Sequence, residues 1–451
     1  MKNNRSLAIS NSFNKFKMSD YLGGLEEVFP TESIESKDLE LRKKDPKRSR
    51  QRVFTNKDTL LIMVMASFQE DKSLQNSVDI FYTMHQRQKQ HLIAQLKSSN
   101  ELEKQKDKTE QRKRGRPKNY SLKLPLSFEK DISLNTAAFS KARGRVPIEL
   151  IETLFSESRI EQPNNSYSHW RGYRVMIADG TYLQLQDTPE IRQEYEVKHN
   201  GVGSGGYPQA LLETLTERGA GQVFQFKLTN RHVSEIEIFY NMIDQVPENT
   251  LILADDLYNC YEIIAKCQRK GVKFIIPQKR RKNYDVVKKI GSGDEIIKIN
   301  APKNRAKWLK ENEKATSIIL RRIQCYSPDG NIYDIVTNVV DEDIPRDEIQ
   351  QQYLTRYDIE LSIREIKTIM DINILRSKTP EMALKELSVS MATYNLIRKL
   401  ISASIKDLPF PPESDFIFEH YSNFKNILVD KKGRVYSRWS PGRAGIKATD
   451  T

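Results

Sequence analysis

The sequence predicts an α/β fold, in which a mixed sheet is flanked by helices and preceded by a mainly helical N-terminal region. After residue 171, short apolar runs typical of buried strands alternate with amphipathic helical segments. Alternating segments on either side of residues 219–221 have the pattern of a hairpin, which adds antiparallel pairing. Residues 278–343 are rich in strand-like segments, with "PDGN" as a hairpin turn.

Composition limits the class of protein. The chain has 451 residues, enough for two or three domains with a sizeable core. Its net charge of +13 and isoelectric point near 9.3 favour a polyanionic partner, because each neutralised phosphate releases counterions. No apolar run approaches the roughly 20 residues of a membrane span, and the N-terminus lacks the apolar centre of a secretory signal. We therefore expect a cytoplasmic protein with no membrane partner.

Cysteine and histidine patterns argue against a zinc framework. The cysteines at 260, 267 and 325 form no CxxC pair, and the six histidines include no HExxH or HxH pattern. Reduced packing residues are the expected role of these cysteines. If a metal is bound, its ligands should be carboxylates, which favour Mg²⁺ or Mn²⁺ over zinc.

The N-terminal third divides into an arm, a helical region and a linker. Residues 1–50 are polar and end in basic residues, which predicts a flexible basic arm. Residues 51–165 should be mainly helical, with Asp58 and Ser77 as candidate caps of helices between 58 and 97. A charged linker is predicted over residues 98–125, followed by two short helices that turn at Gly144.

The central region supplies the predicted sheet. "YRVMIADG" should form a strand ending at Asp179, followed by alternating "TYLQLQ". "QALLETLTER" and "GQVFQFKLTN" form the predicted hairpin, and "SEIEIFYNMIDQV" an amphipathic helix. "TLILADD" is a second buried strand ending in acid, followed by the helix "YNCYEIIAKCQRKG" and the strand "VKFIIPQ". A β-rich insertion over 278–343, further helices over 344–405 and a basic tail over 406–451 complete the predicted organisation.

A stripe of functional groups is predicted on a helix within "YLTRYDIELSIREIK". At about 100° per residue, Tyr353, Arg356, Glu360 and Lys367 fall within a stripe roughly 60° wide. An apolar stripe made by Ile359, Ile363, Ile366 and Met370 lies beside it. The charged stripe indicates either a phosphate-binding cleft or a solvated, salt-bridged helix face.

Three carboxylates are candidates for a shared site. Asp179 and Asp255 each follow a predicted strand, and strand ends meet at one edge of such a sheet. Glu360 would face the same cleft from the later helix. Three such carboxylates would repel one another unless cations compensate, and two Mg²⁺ ions about 3.5–4 Å apart would do so. A lone aspartate at a strand end is more often a cap or turn residue.

The motifs together resemble the IS-four family of bacterial insertion-sequence transposases, which are DDE transposases. The family signature Tyr-x2-Arg-x3-Glu-x6-Lys is matched at every spacing by residues 353–367. "IADGTYLQLQDTPE" and "LILADDLYNCYEIIAKCQRKGVKFIIPQKRRK" resemble the segments around the first and second catalytic acids, and "AAFSKARGRVPIELIETLF" resembles the region before the catalytic domain. The likeness runs from about residue 50 to 405.

This resemblance implies a ribonuclease H-like core over residues 166–277 and 344–405, interrupted by the β-rich insertion. It assigns the catalytic, metal-binding triad to Asp179, Asp255 and Glu360, with two Mg²⁺ ions or Mn²⁺ in their place. Relatives usually carry Asp-Arg at the second acid, whereas this chain has Asp255-Asp256. We expect Asp255 to be the ligand, and whether Asp256 shares the metal site stays open. Tyr353, Arg356 and Lys367 would hold DNA.

Further DNA contacts are candidates outside the triad. Arg114 and Arg116 lie in "RKRGRPK", which has the Gly-Arg-Pro core of a minor-groove hook but equally fits a merely basic linker. Arg280 and Arg281 follow a strand that should end near the active edge. Trp308 is the only tryptophan of the insertion, and it either packs or stacks on a flipped base, as in some relatives.

The expected function is cut-and-paste DNA transposition. The chain would bind double-stranded DNA at the terminal inverted repeats, pair two ends as a homodimer in the synaptic complex, cleave, and join the freed 3′-hydroxyls to target DNA. Within the cell it would be nucleoid-associated when bound to DNA. Two alternatives remain open, namely a catalytically inactive protein that only occupies inverted repeats and a nuclease that lacks strand transfer.

Overall fold

A mixed sheet of ten strands forms the centre of the molecule. The computed structural model describes residues 28–45, 53–67, 72–109, 134–161, 168–195, 206–279, 283–304, 317–326, 330–356, 366–367 and 370–404. The helices are α1 Thr31–Lys44, α2 Asn56–Ser67, α3 Leu74–Thr109, α4 Thr136–Arg145, α5 Ile148–Ser158, α6 Pro189–Glu194, α7 Glu235–Met242, α8 Tyr261–Lys270, α9 Arg346–Leu354 and α10 Pro380–Ser404. The strands are β1 His169–Trp170, β2 Tyr173–Gln184, β3 Gln209–Glu217, β4 Val223–Asn230, β5 Thr250–Leu253, β6 Lys273–Gln278, β7 Asp285–Gly291, β8 Asp294–Ile299, β9 Ile318–Tyr326 and β10 Ile332–Thr337.

The strand order is β4-β3-β2-β5-β6-β10-β9-β8-β7, with β1 paired to β2. Strands β2, β5 and β6 are parallel, and the other pairs are antiparallel. The predicted hairpin is present as β3 and β4, and α8 connects the parallel strands β5 and β6. Parallel neighbours need such a crossover, whereas antiparallel neighbours need only a turn.

The segment predicted as β-rich contributes four strands to this same sheet. Strand β10 pairs with β6 in antiparallel register, with Ile335 opposite Pro277. Strands β9, β8 and β7 then follow outward. A buried ion pair stabilises this part of the sheet. The Nε atom of Arg321 donates to Oδ1 of Asp294 at 2.8 Å, and its Nη2 atom donates to Oδ2 at 2.6 Å. Strands β7 to β10 are therefore continuous with the central strands.

Three apolar clusters pack on the sheet. The cluster of the N-terminal helices and α10 packs against the outer strands, where it includes Leu183 and Leu212. Helices α7 and α8 cover the face that carries Met176 and Ile252. Helix α9 packs on the opposite face, which carries Ile177. Helices on both faces bury the central strands, as is usual for parallel strands.

Two predictions about the N-terminal region are wrong. Helix α1 lies within residues 1–50, where a flexible arm was expected, and Ile34 and Leu41 of this helix are buried. Helix α3 continues to Thr109, although a linker was expected from residue 98. Residues 98–109 contain neither glycine nor proline and are mostly good helix formers, so their charge alone does not end the helix.

The helix ends also differ from those expected. The hydroxyl of Thr55 accepts from the amide of Asp58 and caps α2, and Ser73 caps α3 through the amide of Asn76. Asp58 and the predicted cap Ser77 therefore lie inside the first turn of their helices. Gly144 lies within α4, which ends at Arg145 just before a proline.

Within the described ranges, none of the helices combines the length and the apolar character that crossing a membrane requires.

Candidate active site

Asp179 and Asp255 lie side by side beyond the parallel pair β2 and β5. The last paired residues of these two strands are Ile177 and Leu253. Asp179 lies two residues after Ile177, and Asp255 lies two residues after Leu253. Strand β2 itself continues to Gln184 and pairs with β3, so Asp179 lies inside a strand and not at its end as expected. The end of the parallel pairing, and not the end of the strand, brings the two acids together.

Both aspartates face the same side of the sheet. Ile177 and Leu253 belong to the apolar cluster under α9. Side chains alternate between faces along a strand, so residues two positions further on share the face of these two. Asp179 and Asp255 therefore point toward the side that carries α9 and the turn after it.

The electrostatic environment of Asp179 contains both signs of charge. Burial raises the pKa of Asp179 to about 6, Arg356 opposes this rise, and Asp255 adds to it. Burial disfavours the charged carboxylate, and a second carboxylate nearby disfavours it further. Burial is therefore the main reason that Asp179 is protonated more easily than an exposed aspartate, and Arg356 offsets part of this effect.

Asp255 and Asp256 have different roles in the turn after β5. The Oδ1 atom of Asp255 accepts from the amide of Leu257 at 2.8 Å and caps a 3₁₀ turn formed by Asp256–Tyr258. The Oδ1 atom of Asp256 accepts from the amide of Lys279 at 2.8 Å. Asp256 thus ties the turn to the residue that follows β6, and the choice of Asp255 as the ligand stays a prediction.

The predicted continuous helix over residues 353–367 is wrong. Helix α9 ends at Leu354, and Thr355 and Arg356 form a turn. The hydroxyl of Thr355 donates to the carbonyl of Gln352 and accepts from Arg218 on the neighbouring hairpin at 3.1 Å. A tertiary contact from the sheet therefore supports the turn.

The signature cations still lie near Asp179. The guanidinium of Arg356 is 5.9 Å from the ring centre of Tyr353 and lowers the pKa of Asp179. The Nζ atom of Lys367 donates to the carbonyl of Tyr182 at 3.1 Å. Burial lowers the pKa of Lys367, and Asp179 opposes that change. Of the predicted apolar stripe, Ile366 and Met370 are buried as expected.

Several predicted site residues lie outside the described residues. They are Glu360, Arg280, Arg281, Trp308, Arg114 and Arg116. Within the part of the chain that the structure describes, no three acidic, histidine or cysteine side chains gather as metal ligands. Asp179 and Asp255 supply hard oxygen donors of the type that Mg²⁺ and Mn²⁺ prefer.

A buried acidic cluster that the sequence did not predict lies next to these aspartates. The hydroxyl of Tyr258 lies 2.7 Å from Oε1 of Glu213 and 2.8 Å from Oε1 of Glu235. Glu213 is completely buried, and burial raises its pKa to about 9. The signal in the sequence was a glutamate in the middle of the apolar strand "QALLETLTE".

The fold and the site define an α/β protein in which two aspartates and two cationic side chains lie close together beside the parallel strands. The family described as "Transposase DDE domain" matches residues 170–396, and the chain belongs to this family. That match covers the sheet, both aspartates and the signature segment. The resemblance to transposases of the IS-four family is confirmed by this match and by the relatives below.

Two curated relatives come from Escherichia coli strain K12. The chain is 27% identical over 269 residues to the transposase InsG of the insertion sequence element IS4, which covers 58% of this chain and 60% of the relative. It is 24% identical over 155 residues to the putative transposase InsZ, which covers 33% of this chain and 52% of the relative. The chain thus spans less than two thirds of either relative.

Among solved structures, the comparison finds the piggyBac transposase in a synaptic complex with hairpin DNA. The similarity covers 90% of this chain and 80% of that chain, with a TM-score of 0.41 and 10% identity.

Proposed function

We propose that this chain is a DNA transposase of a bacterial insertion sequence, which cleaves and joins DNA at the terminal inverted repeats. The observation that carries this proposal is the placement of Asp179 and Asp255 on one face of the sheet, with Arg356 and Lys367 beside them. These residues lie within the region that matches the transposase DDE family. The finer fold proposed for this region is ribonuclease H-like, with residues 278–343 as its insertion.

Asp179, Asp255 and Glu360 would hold two Mg²⁺ or Mn²⁺ ions. Carboxylates suit these ions. Burial is the main reason that the pKa of Asp179 is raised, with Asp255 adding to it, and a bound cation would stabilise the charged form of this carboxylate. When bound, such ions polarise the scissile phosphate and activate water or a 3′-hydroxyl for in-line attack. Binding would require Asp179 to lose its proton, so cation and proton compete for this carboxylate.

The cations of the signature would position the DNA backbone. Arg356 and Lys367 approach Asp179, so phosphates held by their charged groups would lie next to the acids. Tyr353 would support Arg356 through its ring, 5.9 Å from the guanidinium. Where relatives carry an arginine after the second acid, this chain has Asp256, whose carboxylate accepts from a backbone amide.

Further DNA contacts are proposed for the basic residues of the sequence. Arg280, Arg281 and Trp308 would contact DNA near the transposon end, and Arg114 and Arg116 would enter a narrow minor groove. Two copies of the chain would pair the two ends as a homodimer, which captures target DNA for strand transfer.

Oligonucleotide cleavage tests the proposal. We expect Asp179→Asn, Asp255→Asn and Glu360→Gln to abolish cleavage of inverted-repeat DNA in Mg²⁺ while binding to the same DNA persists. Asp187→Asn is the matched control, because Asp187 is an exposed carboxylate paired with Arg192 on the surface. Cleavage at the wild-type rate by any of the three triad variants would refute the assignment.

The same assay separates the two alternatives. A protein that only occupies inverted repeats would bind the oligonucleotide and leave it uncut. A nuclease without strand transfer would cut the ends but would not join them to a supercoiled plasmid. We expect both cut ends and joined products.

A further inference from the structure

The buried cluster of Glu213, Glu235 and Tyr258 lies on the opposite face of the sheet from the candidate ligands. On β3, Glu213 alternates with Leu211 and Leu215, which face helices α7 and α8. Glu235 begins α7, and Tyr258 belongs to the apolar cluster under the same helices. The cluster therefore contacts the strands of the site from the opposite face of the sheet and does not contact DNA or a cation beside Asp179.

Hydrogen bonds connect the three side chains of the cluster. The hydroxyl of Tyr258 has one proton but lies within 2.8 Å of two carboxyl oxygens. A phenol donates one hydrogen bond and accepts others, so one of the two glutamates must be protonated and donate to it. A neutral acid in this position joins both glutamates to the tyrosine without placing two adjacent negative charges in the interior.

The cluster contacts the strand of Asp179 at the next residue. A Cβ atom at Gly180 would lie 2.4 Å from Oε1 of Glu235 and 2.9 Å from Oε2 of Glu213. The absence of a side chain at position 180 is what lets both carboxyl groups reach the strand. In addition, Gly180 is directly paired with Glu213, so β3 and β2 are in register at this point.

The cluster also holds the turn of Asp255. Tyr258 is the last residue of the 3₁₀ turn that Asp255 caps, and its amide donates to the carbonyl of Asp255 at 3.3 Å. Because the hydroxyl of Tyr258 is bound to β3 and α7, the turn cannot shift along β5 without breaking buried hydrogen bonds. One set of contacts thus reaches the backbone next to each aspartate.

We propose that Glu213, Glu235 and Tyr258 are positioning residues that set the spacing of Asp179 and Asp255 and thereby the affinity of the site for divalent cations. This inference rests on the proposed function, in which both aspartates bind the same ions. The three residues act through the two backbone segments and do not coordinate the cation themselves.

Removal of a single hydroxyl tests the proposal. In Tyr258→Phe the ring remains, but the link between the turn, β3 and α7 is lost. The readout is Mn²⁺ binding to the protein without DNA, followed by electron paramagnetic resonance, with thermal unfolding measured in parallel. We expect Mn²⁺ affinity to fall about tenfold, the lower end of the range found when residues that orient metal ligands are replaced, because the spacing of the two aspartates is no longer fixed.

A matched control removes another buried tyrosine hydroxyl. Tyr240 lies in the same apolar cluster, and its hydroxyl accepts from Arg269 at 3.3 Å, away from the aspartates. We expect Tyr240→Phe to keep Mn²⁺ affinity within about twofold of wild type, since no partner of a metal ligand is lost. A purely structural role of Tyr258 would lower thermal stability in both variants without a selective change in Mn²⁺ affinity, and this outcome would overturn the proposal.

A second pair of variants decides the matter if Tyr258→Phe does not fold. Glu235→Ala removes one partner of the tyrosine at the half-buried start of α7, and Glu237→Ala changes a neighbouring residue of the same first turn. We expect a selective loss of Mn²⁺ affinity only in Glu235→Ala. Equal affinity in the two variants would also overturn the proposal.

Asp179→Asn separates failure of this inference from failure of the proposed function. If Asp179→Asn binds Mn²⁺ as tightly as wild type, the proposed cation site is wrong. If Asp179→Asn loses Mn²⁺ while Tyr258→Phe and Glu235→Ala retain it, the cation site stands and the positioning role is wrong.

Discussion

Replacement of Glu213 by glutamine should flatten the pH dependence of folding stability. Glu213 is completely buried, and its pKa is about 9 against 4.5 for an ordinary glutamate. Burial is the largest cause, and Glu235, Asp179 and Asp255 raise the pKa further, while the hydrogen bond with Tyr258 lowers it. The folded protein therefore retains a proton on Glu213 at neutral pH, whereas the unfolded chain releases it.

The sign of the effect follows from proton binding in the two states. Stability from this group is fully present below the unfolded pKa of 4.5 and is lost as pH rises through the folded pKa of about 9. One proton changes the free energy of unfolding by about 1.4 kcal/mol per pH unit within that window. Between about pH 6 and about pH 8, Glu213 should therefore remove about 3 kcal/mol of wild-type stability.

Urea unfolding at a series of pH values measures this effect. In Glu213→Gln the side chain keeps its shape but cannot ionise, so the loss between about pH 6 and about pH 8 should be smaller by about 3 kcal/mol than in wild type. Glu237→Gln, in the first turn of α7, should retain the wild-type dependence. Identical pH profiles for Glu213→Gln and wild type would show that Glu213 is ionised in the folded protein and would refute this reasoning.

Three further predictions follow from other features of the structure, and thermal or urea unfolding checks each. Gly180→Ala should destabilise the fold by about 1–3 kcal/mol, because its Cβ would lie 2.4 Å from a carboxyl oxygen of Glu235. Gly144→Ala in α4 has open space around it and should stabilise the fold by about 0.5–1 kcal/mol. Equal effects of the two substitutions would contradict the close contact at Gly180. Asp294→Ala should lower the free energy of unfolding by about 3–5 kcal/mol, because Arg321 is only 1% exposed and would lose its carboxylate partner. A loss below about 1 kcal/mol would contradict a buried ion pair. Mn²⁺ should raise the melting temperature of the protein. This increase should become smaller as pH falls through the pKa of Asp179, about 6, because protons compete with the cation for this carboxylate. An increase that is independent of pH would exclude Asp179 as a ligand.

The sequence by itself determined the elements that local periodicity defines. The β3–β4 hairpin, helices α7 and α8 and strands β5 and β6 all occur where the apolar pattern predicted them. The proximity of Asp179 and Asp255 was also predictable, because each follows an apolar run of the predicted mixed sheet. The helices, the strands and the position of an acid after a strand depend on residues close together in the chain, so the sequence pattern shows them without the fold.

The tertiary structure decided where elements stop and which distant groups meet. Strand β2 runs past Asp179 because β3 supplies hydrogen bonds up to Gln184, and α9 ends at Leu354 beside a turn that Arg218 contacts. The position of Glu213 in β3 gave no indication that Glu235 and Tyr258 would contact it. Packing and hydrogen bonding between segments far apart in the chain determine these features, and periodicity within one segment contains no information about its partners.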